Sequence, residues 1–175
     1  MQLVKANRVV ADRYQRVLDD APLPDGAVLL TAERFLADSA DLIGRPGPLG
    51  VLWPNSRRVS ELAPHLQRLS LIALNFPVFK DGRAYSQARQ LREQYGFQGE
   101  LRAIGDVLRD QYLFFVRAGF DAFEVRKDAD VATFLKPPSR YSVFYQPAGD
   151  ARIPAQRRRL DEWAAPSLQP AAADG

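Results

Sequence analysis

From residue 27 onward, short apolar runs alternate with amphipathic stretches, and this alternation restricts the fold more than any other feature of the chain. The runs fall at 27–30, 49–53, 71–76, 101–104, 123–125 and 141–145. Each has the length and near-continuous apolar character of a strand covered on both faces of a parallel sheet. The intervening stretches predict helices at 31–38, 57–69, 84–95, 108–118 and 128–135. In the third of these, Ala84, Ala88, Leu91 and Tyr95 share one helical face, and Gly96 follows as a stop. The next helix turns Leu108, Tyr112, Phe115 and Val116 inward and stops at Gly119. Strand, helix and strand joined by short links predict βα units with right-handed crossovers. Five or six such units fit into 175 residues, whereas a complete eight-unit barrel takes ~250. The expected fold is therefore α/β, with repeated βα units forming a mostly parallel open sheet or an incomplete (β/α) barrel. In either form the site belongs at the carboxyl ends of the strands.

The flanks of this pattern differ from it. Residues 1–26 are polar and end in the turn signal Pro22-Leu23-Pro24-Asp25-Gly26, with 8–10 and 14–18 reading as a short hairpin or an edge layer. Residues 147–175 are interrupted by Pro147, Pro154, Pro166 and Pro170, and read as a Pro/Ala/Arg-rich tail with room for one short helix near 154–164. The expected organisation is a single domain over 1–146 followed by that tail. The run Arg157-Arg158-Arg159 is read as a solvated face.

Composition removes several kinds of chemistry. The chain has no cysteine and one histidine, His65, which excludes disulfides, thiolate mechanisms and a multi-histidine metal site within one chain. His65 falls on a predicted helix and reads as a packing or surface residue. Twenty of the 24 basic residues are arginine, yet the net charge is only +3, with acidic residues interspersed. That balance speaks against a nucleic-acid binder, while the guanidinium fork suits carboxylate, sulfate or phosphate. No stretch approaches the ~20 apolar residues that span a bilayer, and no leader is visible, so the expectation is a cytoplasmic protein without a membrane partner.

The phosphate-binding loop, the dinucleotide glycine fingerprint and the nucleophile elbow are all absent from the sequence. What remains is concentrated in three segments. After the strand at 71–76 comes Lys80-Asp81-Gly82-Arg83-Ala84-Tyr85-Ser86, in which Asp81 and Gly82 make a turn and Arg83 and Ser86 open a helix. This is either a helix cap or an anion site made by free N–H groups and the Arg83 fork, and the two are compatible. The second segment, Glu100-Leu101-Arg102-Ala103-Ile104-Gly105-Asp106, places a charge inside a central strand. Arg102 must there find a partner or a polar cavity. Gly105 permits close backbone approach, and Asp106, Arg109, Asp110 and Gln111 follow at the strand exit. In the third segment, Glu124 shares a strand face with Arg126 and is placed to pair with Arg102.

The block DGRAYSQARQLREQYGFQGELRAIGDVLRDQYLFFVRAGFDAF at 81–123, with LIALNFPVFK before it, resembles the signature region of the domain of unknown function 934 family. The matching positions are Asp81, Gly82, Arg83, Ser86, Arg89, Arg92, Gly99, Arg102, Gly105, Asp106, Asp110, Gln111, Gly119 and Phe120. The resemblance implies a bacterial protein of the kind described as a putative oxidoreductase associated with sulfite reduction. It assigns no role to any of these residues. Where the family often has cysteine before its Gly-Phe pair, this chain has Ala118.

Two functions stand at this point. One is an accessory or binding protein linked to assimilatory sulfite reduction, partnered by the reductase or another sulfur-assimilation protein. The other is a small enzyme acting on a phosphate-, sulfate- or carboxylate-bearing substrate. In both, Arg83, Ser86, Arg102 and Arg109 bind the anion. In the second, Asp106 or Asp110 supplies acid/base chemistry. Asp81, Gly82, Gly105, Gln111 and Glu124 line or support the site. No motif for nicotinamide, flavin, haem or an iron–sulfur cluster is present, and no cofactor or metal is expected. The purified protein should be colourless. A flavin or haem absorption band that persists through gel filtration would contradict this.

Overall fold

The computed structural model describes residues 1–137. The expected strand at 141–145, the tail and Arg157-Arg158-Arg159 lie outside the described residues. Eight strands form one sheet: β1 (Gln2–Lys5), β2 (Arg8–Val10), β3 (Gln15–Arg16), β4 (Val28–Thr31), β5 (Leu49–Trp53), β6 (Leu69–Phe76), β7 (Glu100–Gly105) and β8 (Ala122–Val125). Their spatial order is β2-β1-β8-β7-β6-β5-β4-β3. Neighbours from β3 to β8 run parallel, in chain order, while β1 is antiparallel to both β8 and β2. The segments expected to lie parallel at 49–53, 71–76, 101–104 and 123–125 do so. Residues 1–26 supply both edges of the sheet: a hairpin (β1, β2) beside β8, and β3 beside β4.

The sheet is open but strongly curled. Flat, β3 and β8 would stand five strand spacings apart, roughly 24 Å. Yet the Arg16 guanidinium on β3 lies 2.6 Å from the Glu124 carboxylate on β8. Two side chains meet across that distance only if the sheet bends towards itself. Strand alternation then gives the sheet a small concave face and a large convex one. On the concave side sit Tyr14, Leu29, Leu71, Ala73 and Ile104 with a set of charged residues. On the convex side Val28, Leu30, Val51, Trp53, Ile72, Leu74, Leu101, Ala103, Phe123 and Val125 form the main core with the helices.

The helices are α1 (Ala32–Ala37), α2 (Arg83–Arg89), α3 (Tyr112–Ala118) and α4 (Asp128–Phe134). The connections are less regular than a repeated βα unit. The helix expected at 57–69 is instead a 3-10 segment at Val59–His65 with Pro64 inside it. Proline lacks the N–H an α-helix needs there and clashes with the preceding turn. No helix lies between β3 and β4. The helix expected at 84–95 is α-helical only to Arg89 and continues as a π-turn at Gln90–Gln94. Ala84, Ala88 and Leu91 are buried as their spacing requires, but the extra residue in the π-turn rotates Tyr95 out of the core. Phe97 is buried beyond the turn, its N–H bonded to the Leu91 carbonyl at 2.9 Å. Aromatic rings weld α2, α3 and α4 to the sheet: Phe76 meets Tyr85 and Phe115 edge-on, and Tyr112 packs on Phe123 and Phe134. His65 packs edge-on against Phe35.

Gly105 ends β7 at φ +90°, and a Cβ there would lie 2.3 Å from the Phe76 carbonyl oxygen. Gly26 has the same φ with nothing within 4 Å of such a Cβ. Gly26→Ala should therefore cost only the backbone term, ~1 kcal/mol, and Gly105→Ala ~3 kcal/mol or more, because a backbone carbonyl must also move. Urea unfolding of the two variants measures the difference. Equal losses would contradict the close approach.

Candidate functional site

The polar residues of interest separate into two places. The first is the concave face of the sheet. Arg102 on β7 is 1% exposed, and its guanidinium meets Asp12 at 2.6 Å, Glu100 at 2.8 Å and Glu124 at 3.3 Å. Lys5 on β1 pairs with Glu100 at 2.7 Å, and Arg16 completes Glu124. Three cations thus face three carboxylates. The Arg102 guanidinium also lies over the Tyr14 ring at 5.7 Å, and the Tyr14 hydroxyl is bonded to Ser70 Oγ at 3.0 Å. Arg102 is buried inside a strand because every face of its fork has a carboxylate, which is the condition for burying a guanidinium at all. Burial acts to lower its pKa, but the Asp12 and Glu100 carboxylates more than reverse this and hold it above the usual value. Burial likewise pushes Asp12 up, but the hydrogen bonds from Arg102 and the Tyr14 N–H, with the nearby charges, hold it below the ordinary aspartate value.

The second place is a groove of about 440 Å³ at the carboxyl ends of β5 and β6. One wall is the loop after β5, with Asn55, Arg57 and Arg58. The other is the face of α2 and its π-turn that carries Arg83, Ser86, Gln87, Gln90, Gln94 and Tyr95. Gln87 ties the walls together: its Nε2 donates to the Pro54 and Arg57 carbonyls at 3.1 and 2.8 Å. Arg57 lies over the Trp53 ring and pairs with Glu61 at 3.1 Å and Glu33 at 3.4 Å. The Arg83 fork is 60% exposed and holds Asp81 at 2.6 Å, and Asp81 Oδ1 also accepts the Arg83 N–H at 3.2 Å. That hydrogen-bonded partner depresses the Asp81 carboxyl well below the usual range.

The predicted residues distribute across these places. Arg83 and Ser86 line the groove, beside Asp81 and Gly82. Arg102 and Glu124 lie in the concave cluster, and their expected pairing is present. Asp106 is at the β7 exit, where its Oδ2 accepts the Phe79 N–H at 3.1 Å while its own N–H donates to the Phe76 carbonyl at 2.8 Å. Gln111 Nε2 donates to the Phe79 carbonyl at 3.0 Å, so both residues hold the loop after β6. Arg109 and Asp110 are exposed and only loosely paired, at 3.8 Å, with Asp130 at 3.7 Å from Arg109. No hydrogen bond or ion pair joins Arg83 to Arg102, Asp106 or Asp110.

Sequence reasoning missed Asp12 and Arg16, whose relation to Arg102 is set by sheet curl and leaves no local trace. It also missed the opposite wall of the groove, although Arg57 and Arg58 directly after the strand at 49–53 were a readable signal. Tyr95 escaped because an uninterrupted helix period places it in the core.

Arg92 explains part of the signature block. Its Nε donates to the Gly119 carbonyl at 3.0 Å, Nη1 to those of Phe97 and Gly99, and Nη2 to Asp121 at 3.1 Å. Gly119 sits at φ +102°, and a Cβ there would lie 2.6 Å from Arg92 Cγ. One arginine and two glycines of the block thus form one joint. The sequence profile described as "Bacterial protein of unknown function (DUF934)" matches residues 50–156, more than half of the chain. The chain belongs to this family. No curated protein and no solved structure matches it. The DUF934 match includes both walls of the groove, Arg102, Glu100 and Glu124, whereas Asp12 and Arg16 precede it. Among the described residues no helix is long and apolar enough to cross a membrane, and no group of His, Cys, Asp or Glu side chains is placed to hold a metal ion.

Arg102→Met should destabilise the protein by about 3–5 kcal/mol, because three carboxylates lose their shared partner. Asp12→Asn gives a pH signature. The Asp12 contribution is fully present above the ordinary value of 3.8 and is lost as pH falls through the lower folded value. The deficit of Asp12→Asn should therefore be largest near pH 7 and shrink by ~pH 2. Denaturant unfolding at several pH values tests this, and a deficit independent of pH would contradict it.

Proposed function

We propose that this protein binds a small oxyanion-bearing ligand in the groove between residues 55–58 and α2, and that it serves as an accessory protein in assimilatory sulfite reduction. The observation that carries the binding site is the convergence of Arg57, Arg58 and Arg83 on one groove at the strand carboxyl ends. The volume falls within the range of small-molecule pockets. The Arg57 and Arg83 forks are occupied by Glu61 and Asp81 across an exposed surface. The Arg83–Asp81 pair is bidentate, so a multiply charged anion at this end competes with the Asp81 carboxylate for the fork. Among the described residues the Arg58 guanidinium has no ion pair, which leaves its fork for the ligand. The link to sulfite reduction is supported by the resemblance at 71–123 alone. In this reading the curled sheet works as an incomplete (β/α) barrel, and the protein acts in the cytoplasm beside the reductase or another sulfur-assimilation protein.

Two measurements test the two halves. Titration with inorganic phosphate and with sulfite should show binding that Arg58→Ala weakens. Binding by wild type and variant alike would place the anion elsewhere. Tagged protein from cells grown on sulfate as sole sulfur source should recover sulfite reductase subunits. Recovery of none would remove the accessory role and leave the groove standing.

A further inference from the structure

The groove has two chemically different ends, and the difference specifies the ligand class. At the start of α2 the groove is cationic, with Arg83 facing Arg57 and Arg58. Along the same helix face it becomes neutral and amide-rich, through Gln87, Gln90 and Gln94, and finishes at the Tyr95 ring. From Arg83 to Gln94 is roughly 16 Å of helix, longer than a free oxyanion needs.

Two local features single out the amide end. First, the π-turn, closed by the Tyr95 N–H on the Gln90 carbonyl at 3.1 Å, brings Tyr95 to the groove instead of the core. A π-turn costs regular helix geometry, and such turns recur at functional sites. Tyr95 is thereby a large ring 36% exposed. Second, Gln87 is buried and pinned by its Nε2 to the opposite wall, while Gln90 and Gln94 stand exposed along the groove.

We infer that the groove takes a nucleoside monophosphate, with the phosphate at Arg57, Arg58 and Arg83 and the base at the glutamines and Tyr95. The inference rests on the proposed anion site and extends it to the neutral part of the ligand. The exposed amides of Gln90 and Gln94 present donors and acceptors that match the edge of a base. Tyr95 offers the flat face on which a base stacks.

The test is calorimetric titration of the full chain with adenosine 5′-monophosphate, ribose 5-phosphate and inorganic phosphate. Adenosine monophosphate should bind about tenfold or more tighter than ribose 5-phosphate, the worth of one stacked base. Tyr95→Ala should remove that advantage and leave ribose 5-phosphate binding unchanged, Tyr95→Phe should keep it, and Arg58→Ala should weaken all three. Tyr95 lies outside the core, and a melting curve verifies that each variant is folded. Equal affinity for adenosine monophosphate and ribose 5-phosphate overturns the inference but leaves the anion site intact. Failure of all three to bind overturns both. An advantage that survives Tyr95→Ala overturns the assignment of the base to this end.

Discussion

The buried guanidinium of Arg102 is the constraint around which the sheet is organised. A charge at 1% exposure in the middle of a parallel strand is tolerable only with its full set of partners, and one strand cannot supply them. Glu100 comes from the same strand, Glu124 from the next, and Asp12 from the segment leading into the far edge strand. Satisfying Arg102 therefore requires that the N-terminal segment cross the concave face. Arg16 then meets Glu124, which holds the two ends of the parallel array together. The closure is ionic where a complete barrel would use strand pairing. Removing Arg102 leaves Glu100 and Glu124 as buried carboxylates without their shared partner, so the members of the cluster are coupled.

Arginine has a second structural use, seen at four positions. Arg34 donates to the Leu18 and Ala21 carbonyls, Arg45 to those of Pro24 and Gly26, Arg68 to those of Leu42 and Arg45, and Arg92 to those of Phe97, Gly99 and Gly119. Each planar fork gathers carbonyls from segments outside the sheet ladder, which the single ammonium of lysine does less well. Several DUF934 signature positions are explained in this way. Arg92, Gly99 and Gly119 form one joint; Gly105, Asp106 and Gln111 fix the loop after β6; and Arg102 anchors the concave cluster. Arg83 and Ser86, from the block that resembles the family signature, lie instead on an accessible groove, where binding is proposed.

The convex core was largely legible in the sequence, because a parallel strand covered on both faces declares itself as an apolar run and its helices by their period. The runs at 49–53, 71–76, 101–104 and 123–125 became adjacent parallel strands. The need of Arg102 for a partner and the choice of Glu124 were readable too, since both follow from strand alternation and the cost of buried charge. The irregularities were harder. Pro64 is visible in the sequence but lies within an otherwise helical pattern, and the π-turn at Gln90–Gln94 has no sequence signature separate from an α-helix. The curl that brings Asp12 and Arg16 to β7 and β8 is a property of the whole sheet. The groove was half legible: Arg83 and Ser86 were identified on one wall, and the loop carrying Arg57 and Arg58 was not joined to them because its helix was placed wrongly.

The polar residues fall into a concave cluster that shapes the sheet and a groove for which ligand binding is proposed. The most direct test is amide chemical-shift mapping of the full chain during titration with inorganic phosphate. The account predicts perturbations concentrated at residues 55–60 and 83–95, with the amides of Arg16, Arg102 and Glu124 unmoved. Shifts centred on β7, β8 and the segment around Asp12, with the groove silent, would contradict it.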